Sequence, residues 1–107
     1  MKKYDLVALA VSIWDGTYRI DKLTTYDGLK SLKDCYKQLK LWSESKNYRY
    51  KILSYTIKEN GVVVKNKDTT NLGISLPKSR SEFDSWLERD IETYNSLIKQ
   101  EEEKETE

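Results

Sequence analysis

Residues 52–65 read ILSYTIKENGVVVK, two apolar-rich runs hinged on Asn60-Gly61. Asn-Gly is favoured in two-residue type I′ turns because both central positions need positive φ. It is the strongest short-range turn signal in the chain and sets a hairpin from Tyr48 to about Lys67. A two-residue loop pairs Ile57 with Val64 and puts Leu53, Tyr55 and Ile57 on one face. A three-residue loop with a bulge shifts that pairing by one.

Upstream, Asp15-Gly16 gives a second turn of the same kind between β-forming residues. It pairs Trp14 with Thr17, Ile13 with Tyr18 and Val11 with Ile20. Val7, Leu9, Val11 and Ile13 then share an apolar face with Tyr18 and Ile20. The opposite face carries Ala8, Ala10, Ser12 and Trp14 with Thr17, Arg19 and Asp21.

A helix follows each hairpin. Thr24 to Asp27 resembles a capping box, and Leu29, Leu32, Tyr36 and Leu39 fall at spacings of three and four, with Cys35 and Trp42 widening the stripe. This helix is expected to end near Ser45. The second begins at a better box, Ser79 to Glu82, and carries Phe83, Trp86, Leu87, Ile91, Tyr94, Leu97 and Ile98 on one stripe. Between the second hairpin and this helix, Asp68 to Gly73 reads as a loop and Ile74-Ser75-Leu76 as a short edge strand stopped by Pro77. The fold class is therefore α+β: a ββαββα order, with an antiparallel sheet of four to five strands and both helices packed on one face. Residues 1–100 form a single domain, and 101–107 an acidic tail that frays from the last helix.

At 107 residues the chain fits one domain. Such a chain buries roughly 65% of the surface that its unfolded form exposes, enough for a core without metals or disulfides. The 11% aromatic content argues against disorder. One cysteine, Cys35, allows no internal disulfide and favours a reducing compartment, so the expected location is cytoplasmic. The run from Leu6 to Trp14 is short, opens beside Asp5 and lacks a small-residue cleavage site, which speaks against a signal peptide. No stretch approaches the ~20 apolar residues of a membrane span.

The net charge of +1 conceals a division. Residues 1–80 hold 16 Lys/Arg against 8 Asp/Glu, whereas residues 81–107 hold 3 against 10. The acid lies on the second helix and its tail, and the body is basic.

Chemistry is thinly represented. The chain has no histidine, the most frequent general base near neutral pH and the commonest metal ligand. No glycine-rich phosphate loop is present. Cys35 lies at the edge of an apolar stripe with no activating base in view, which suits a core position better than a nucleophile. Asp84 and Glu88 share a helix face, as a catalytic pair or as a solvated surface. No catalytic residue, cofactor or metal is assigned.

Binding signals are stronger. Lys30, Lys33, Lys37 and Lys40 are spaced three, four and three, forming a basic ridge within about 80° of a helix circumference. Such a ridge can follow a phosphate backbone, and a solvated face with lysine stems over the core edge gives the same spacing. Tyr48-Arg49-Tyr50-Lys51 alternates aromatic and basic residues. With Leu53, Tyr55 and Ile57 towards the helices, Tyr48 and Tyr50 occupy the open sheet face, and Trp14 and Arg19 the open face of the first hairpin. In the other register the same tyrosines are core. Exposed rings beside arginine stack on bases or anchor a protein partner.

In size and Lys/Asn/Tyr-rich composition the chain broadly resembles small accessory proteins of phages and mobile elements, including inhibitors of host nucleases. The resemblance is one of style across the whole chain and transfers no residue. It implies a non-enzymatic inhibitor or regulator with a protein partner, directed at a host nuclease or defence system. The alternative is direct nucleic-acid binding through the lysine ridge and the sheet aromatics. No membrane partner is expected, and the protein is read as a monomer or homodimer.

Overall fold

A computed structural model describes residues 3–14, 17–25, 28–44, 50–68 and 79–105. Strands β1 (Tyr4–Trp14) and β2 (Thr17–Thr24) precede helix α1 (Leu32–Glu44). Strands β3 (Lys51–Glu59) and β4 (Val62–Asp68) precede helix α2 (Arg80–Glu105). All neighbours in the four-stranded sheet are antiparallel, in the order β2-β1-β3-β4. The α+β class and the ββαββα order are those read from the sequence. The expected edge strand Ile74–Leu76 lies outside the described residues.

Both hairpin turns hold the expected register at their ends. Trp14 pairs with Thr17, Ile13 with Tyr18 and Val11 with Ile20. At the second turn Asn60 has φ 51° and Gly61 φ 88°, the left-handed values of a type I′ turn. Glu59 pairs with Val62 and Lys58 with Val63, but the register then slips and Ile57 faces Lys65 instead of Val64. A two-residue turn and a bulge, expected as alternatives, coexist. The hairpin tip is tied to the chain start: Lys3 N–H donates to Asn60 Oδ1 (3.0 Å), and Asn60 N–H to the Lys3 carbonyl (2.8 Å).

Two sequence-based expectations about faces are corrected. Along β1 the buried residues are Tyr4, Leu6, Ala8 and Ala10, while Val7 and Ile20, assigned to the apolar face, are 37% and 61% exposed. The alternation was read correctly and its direction inverted. Hydrophobicity favours the Val/Leu/Ile face, but the small alanines let the large side chains of the helices come close to the sheet. Tyr36 and Leu39 of α1 and Tyr94 and Ile98 of α2 share one buried cluster with Ala8 and Ala10. Past Ala10 strict alternation ends, and Val11 is buried with Phe83 and Leu87 in a smaller cluster.

The second correction lies in β3. Leu9 pairs with Ser54 and Ala10 with Ile52, leaving Leu53 as the extra residue of a bulge. The bulge resets the phase, so Ile52 joins Tyr55 and Ile57 in the main cluster while Leu53 packs against the smaller one. A period of two carried along the strand cannot anticipate this slip.

Helix α1 starts eight residues later than its first capping signal. Thr24 ends β2, and Thr25 stays bound to β1: its N–H donates to the Leu6 carbonyl (3.2 Å) and its Oγ1 accepts from Leu6 N–H (3.3 Å). Leu29, read as helical, exchanges two 2.8 Å backbone hydrogen bonds with Tyr4. Ladder bonds to β1 thus outweigh the local cap. The cap is Ser31, whose Oγ accepts from Asp34 N–H at 3.2 Å, with Asp34 in the favourable first turn. Downstream the stripe is as expected, with Cys35, Tyr36 and Leu39 buried.

Helix α2 begins as read, with Ser79 Oγ accepting from Glu82 N–H at 3.2 Å. Phe83, Leu87, Tyr94 and Ile98 are buried along one stripe. The helix continues to Glu105, into the stretch assigned to the tail, and Glu101 there is ion-paired with Lys104 (3.3 Å). No helix among the described residues is long and apolar enough to cross a membrane.

Candidate interaction surface

The lysine ridge survives in reduced form. Lys30 lies in the bend before α1, because the helix starts at Leu32. Lys33, Lys37 and Lys40 lie on α1 within about 60° of its circumference. Lys37 is exposed, Lys33 and Lys40 are half-buried, and Lys40 is 3.6 Å from Glu44 one turn on.

Of the two placements open to the strand tyrosines, Tyr50 takes the core one. Tyr50 is half-buried against the main core cluster and does not lie on the open sheet face. The phase reset at Leu53 puts it on the side of Ile52. Its backbone is fixed on α1: Tyr50 N–H donates to the Trp42 carbonyl (3.2 Å), and Ser43 Oγ donates to the Tyr50 carbonyl (3.2 Å). Arg19 is exposed on β2, 3.4 Å from Asp21. Trp14 ends β1, and its side chain lies outside what is described, as do Tyr48 and Arg49.

A polar cluster that the sequence reading passed over lies between β3 and α2. Lys51 Nζ bonds both carboxylate oxygens of Asp90, at 2.8 and 2.7 Å, and lies 5.9 Å from the Trp86 ring centroid. Both side chains are only about a fifth exposed, at 21% and 19%. Asp90 follows Leu87 by one turn within the apolar stripe, and that intrusion was the available signal. The adjoining cavity, about 50 Å³, is lined by residues including Ser54, Tyr55, Lys67, Thr93 and Tyr94. It has room for a few waters and falls far below the roughly 300 Å³ of a small-molecule site.

This ion pair joins the second hairpin to α2. Lys51→Ala or Asp90→Ala should each cost about 1–3 kcal/mol, since either leaves a charge of low exposure without its partner. The double variant should cost clearly less than the sum of the two. Urea unfolding of the four proteins measures this, and simple additivity would show that the pair is not coupled.

The buried titratable groups are poorly placed for chemistry. Burial, reinforced by Asp34 and Asp5, pushes the Cys35 thiol up to about 12. It is therefore a protonated, inert thiol at neutral pH. Burial pushes the Tyr36 hydroxyl up to about 12, with Tyr55 and Glu101 adding to the effect. Tyr94 is raised further by burial and by Asp90, against a hydrogen bond with Ser43. Among the described residues no three Cys, Asp or Glu side chains converge to hold a metal ion.

Among the described residues the most exposed apolar segment is on β4, last in the strand order. Val62, Val63 and Val64 are 66%, 50% and 44% exposed. Lys58, Lys65 and Lys67 surround them and are exposed as well. Three consecutive valines between Asn-Gly and a lysine-rich run were legible in the sequence, but their exposure depends on β4 lying at the edge. No protein-family model, curated protein or solved structure matches the chain.

Proposed function

We propose that the protein is a non-enzymatic binding protein that inhibits or regulates a macromolecular partner, and that the partner is a protein. The observation that carries this reading is the Val62–Val64 segment, an apolar surface left in solvent on an edge strand. Two further features support it: the inert, buried Cys35 and a cavity too small for an ordinary substrate. The compositional resemblance to phage and mobile-element accessory proteins suits an inhibitor of a host nuclease or defence system.

The test is affinity capture from the source organism with the full chain and with a Val62→Glu/Val64→Glu variant in parallel. One protein recovered by the parent and lost with the variant is the expected result. Direct nucleic-acid binding is the competing reading, supported by Lys33, Lys37 and Lys40 on one face of α1. It predicts an affinity that falls with salt by about 0.9 log units per contacted phosphate for each tenfold increase, and that Lys33→Glu/Lys37→Glu abolishes. That outcome, with no protein captured, would replace the proposal.

A further inference from the structure

We infer that the outer edge of β4 accepts an extended, acidic peptide segment of the partner as an added antiparallel strand; this rests on the binding-protein reading above and specifies its chemistry. Among the described residues no strand pairs with that edge. Glu59 and Val62 close the two-residue loop, so their backbone groups turn towards each other. The next pair, Lys58 with Val63, is the non-hydrogen-bonded kind, which leaves the N–H and C=O of Val63 pointing away from β3. An incoming strand would meet those groups first, beside valine side chains already in solvent.

Natural edges are commonly protected by lysines and bulges, and β4 has both, at Lys65, Lys67 and the slip after Val63. Three successive exposed valines do the reverse of protecting it. Lysine on an edge also discriminates between partners. A second copy would bring its own Lys65 and Lys67 onto the same short ladder, where like charges repel. A strand carrying Asp or Glu at alternate positions would instead set its acids on the face that Lys65 and Lys67 share, the face of their partners Ile57 and Tyr55. The outer edge of β2 is a poorer acceptor, since its exposed Ile20 stands among Arg19, Asp21 and Lys22. Strand addition of this kind takes affinity from main-chain hydrogen bonds and specificity from the side chains.

The probes are two synthetic ten-residue peptides, each alternating valine with glutamate or valine with lysine, titrated into the isotope-labelled full chain at low salt. The glutamate peptide should shift the backbone amides of Val62 to Lys67 and slow hydrogen exchange at Val63. It should bind roughly tenfold more tightly than the lysine peptide, about the combined effect of two exposed attractive pairs, at Lys65 and Lys67, in place of two repulsive ones. N-methylation of alternate peptide residues along one edge should abolish the shifts, and along the other should leave them, without any change to the protein.

The inference is overturned if millimolar glutamate peptide leaves β4 unmoved, if both peptides act equally, or if both N-methylated sets bind alike. It is overturned as well if β4 amides shift on self-association without peptide, or respond only to a single-stranded oligonucleotide. A silent peptide titration beside a partner that the Val62→Glu/Val64→Glu variant still fails to capture would end the strand-addition inference and leave the binding function standing.

Discussion

Between about pH 9 and pH 12 the protein should lose most of its stability, through groups buried in one core. Cys35 is raised from 9.0 to about 12 and Tyr36 from 10.0 to about 12, in both cases chiefly by burial. Tyr55 and Tyr94 are also raised by burial. In each group the folded state holds its proton more tightly than the unfolded chain does. The stabilisation is therefore complete below about pH 9 and is lost as pH rises towards the folded values. Each group contributes at most roughly 1.4 kcal/mol per pH unit between its unfolded and folded values, so Cys35 and Tyr36 alone remove roughly 2 kcal/mol between pH 10 and pH 11, and Tyr55 and Tyr94 act in the same direction. That is a large fraction of the whole stability of many small domains, roughly 5–15 kcal/mol. Asp34, Asp90 and Glu101 add to the effect by disfavouring further negative charge nearby. Urea midpoints followed by circular dichroism from about pH 8 to about pH 11 should fall steeply, with tyrosinate absorbance appearing as the helix signal disappears. Tyr94→Phe should flatten the slope by one group's share. A midpoint that holds through pH 11 would contradict the burial of these four groups.

Leu39→Ala should destabilise the fold by about 2–5 kcal/mol, whereas Ile20→Ala should change it by less than about 0.5 kcal/mol. Leu39 is fully buried between α1 and the sheet, in the cluster with Ala8, Tyr36 and Ile57. Truncating it removes apolar contact and leaves a cavity that close-packed neighbours fill only in part. Ile20 is an isomer of leucine with the same volume and lies on a face that its sequence pattern marks as apolar, yet it is 61% exposed. The two midpoints should differ by about 1 M urea or more. Similar losses in both variants would mean that the helices cover the other face of β1 and β2.

The turn and cap signals decided much of this fold because their chemistry is local. Asn60-Gly61 supplies the left-handed backbone of a tight hairpin, Ser79 caps α2 through a bond three residues away, and the spacing of Phe83, Leu87, Tyr94 and Ile98 marks one helix stripe. Each operates within a few residues, so the ββαββα order and the hairpin pairing next to each turn were legible. What depended on distant partners was not. The side of β1 that is buried followed from which helix side chains had room above Ala8 and Ala10. The start of α1 was delayed by backbone bonds from Thr25 and Leu29 to a strand about 20 residues earlier. The bulges at Leu53 and Val64 belong to pairings between strands, and the one at Leu53 placed Tyr50 on the core side. The same holds for the candidate surface. The valines and lysines of β4 are visible as residues, but their place on an edge follows from strand order, which only long-range pairing sets.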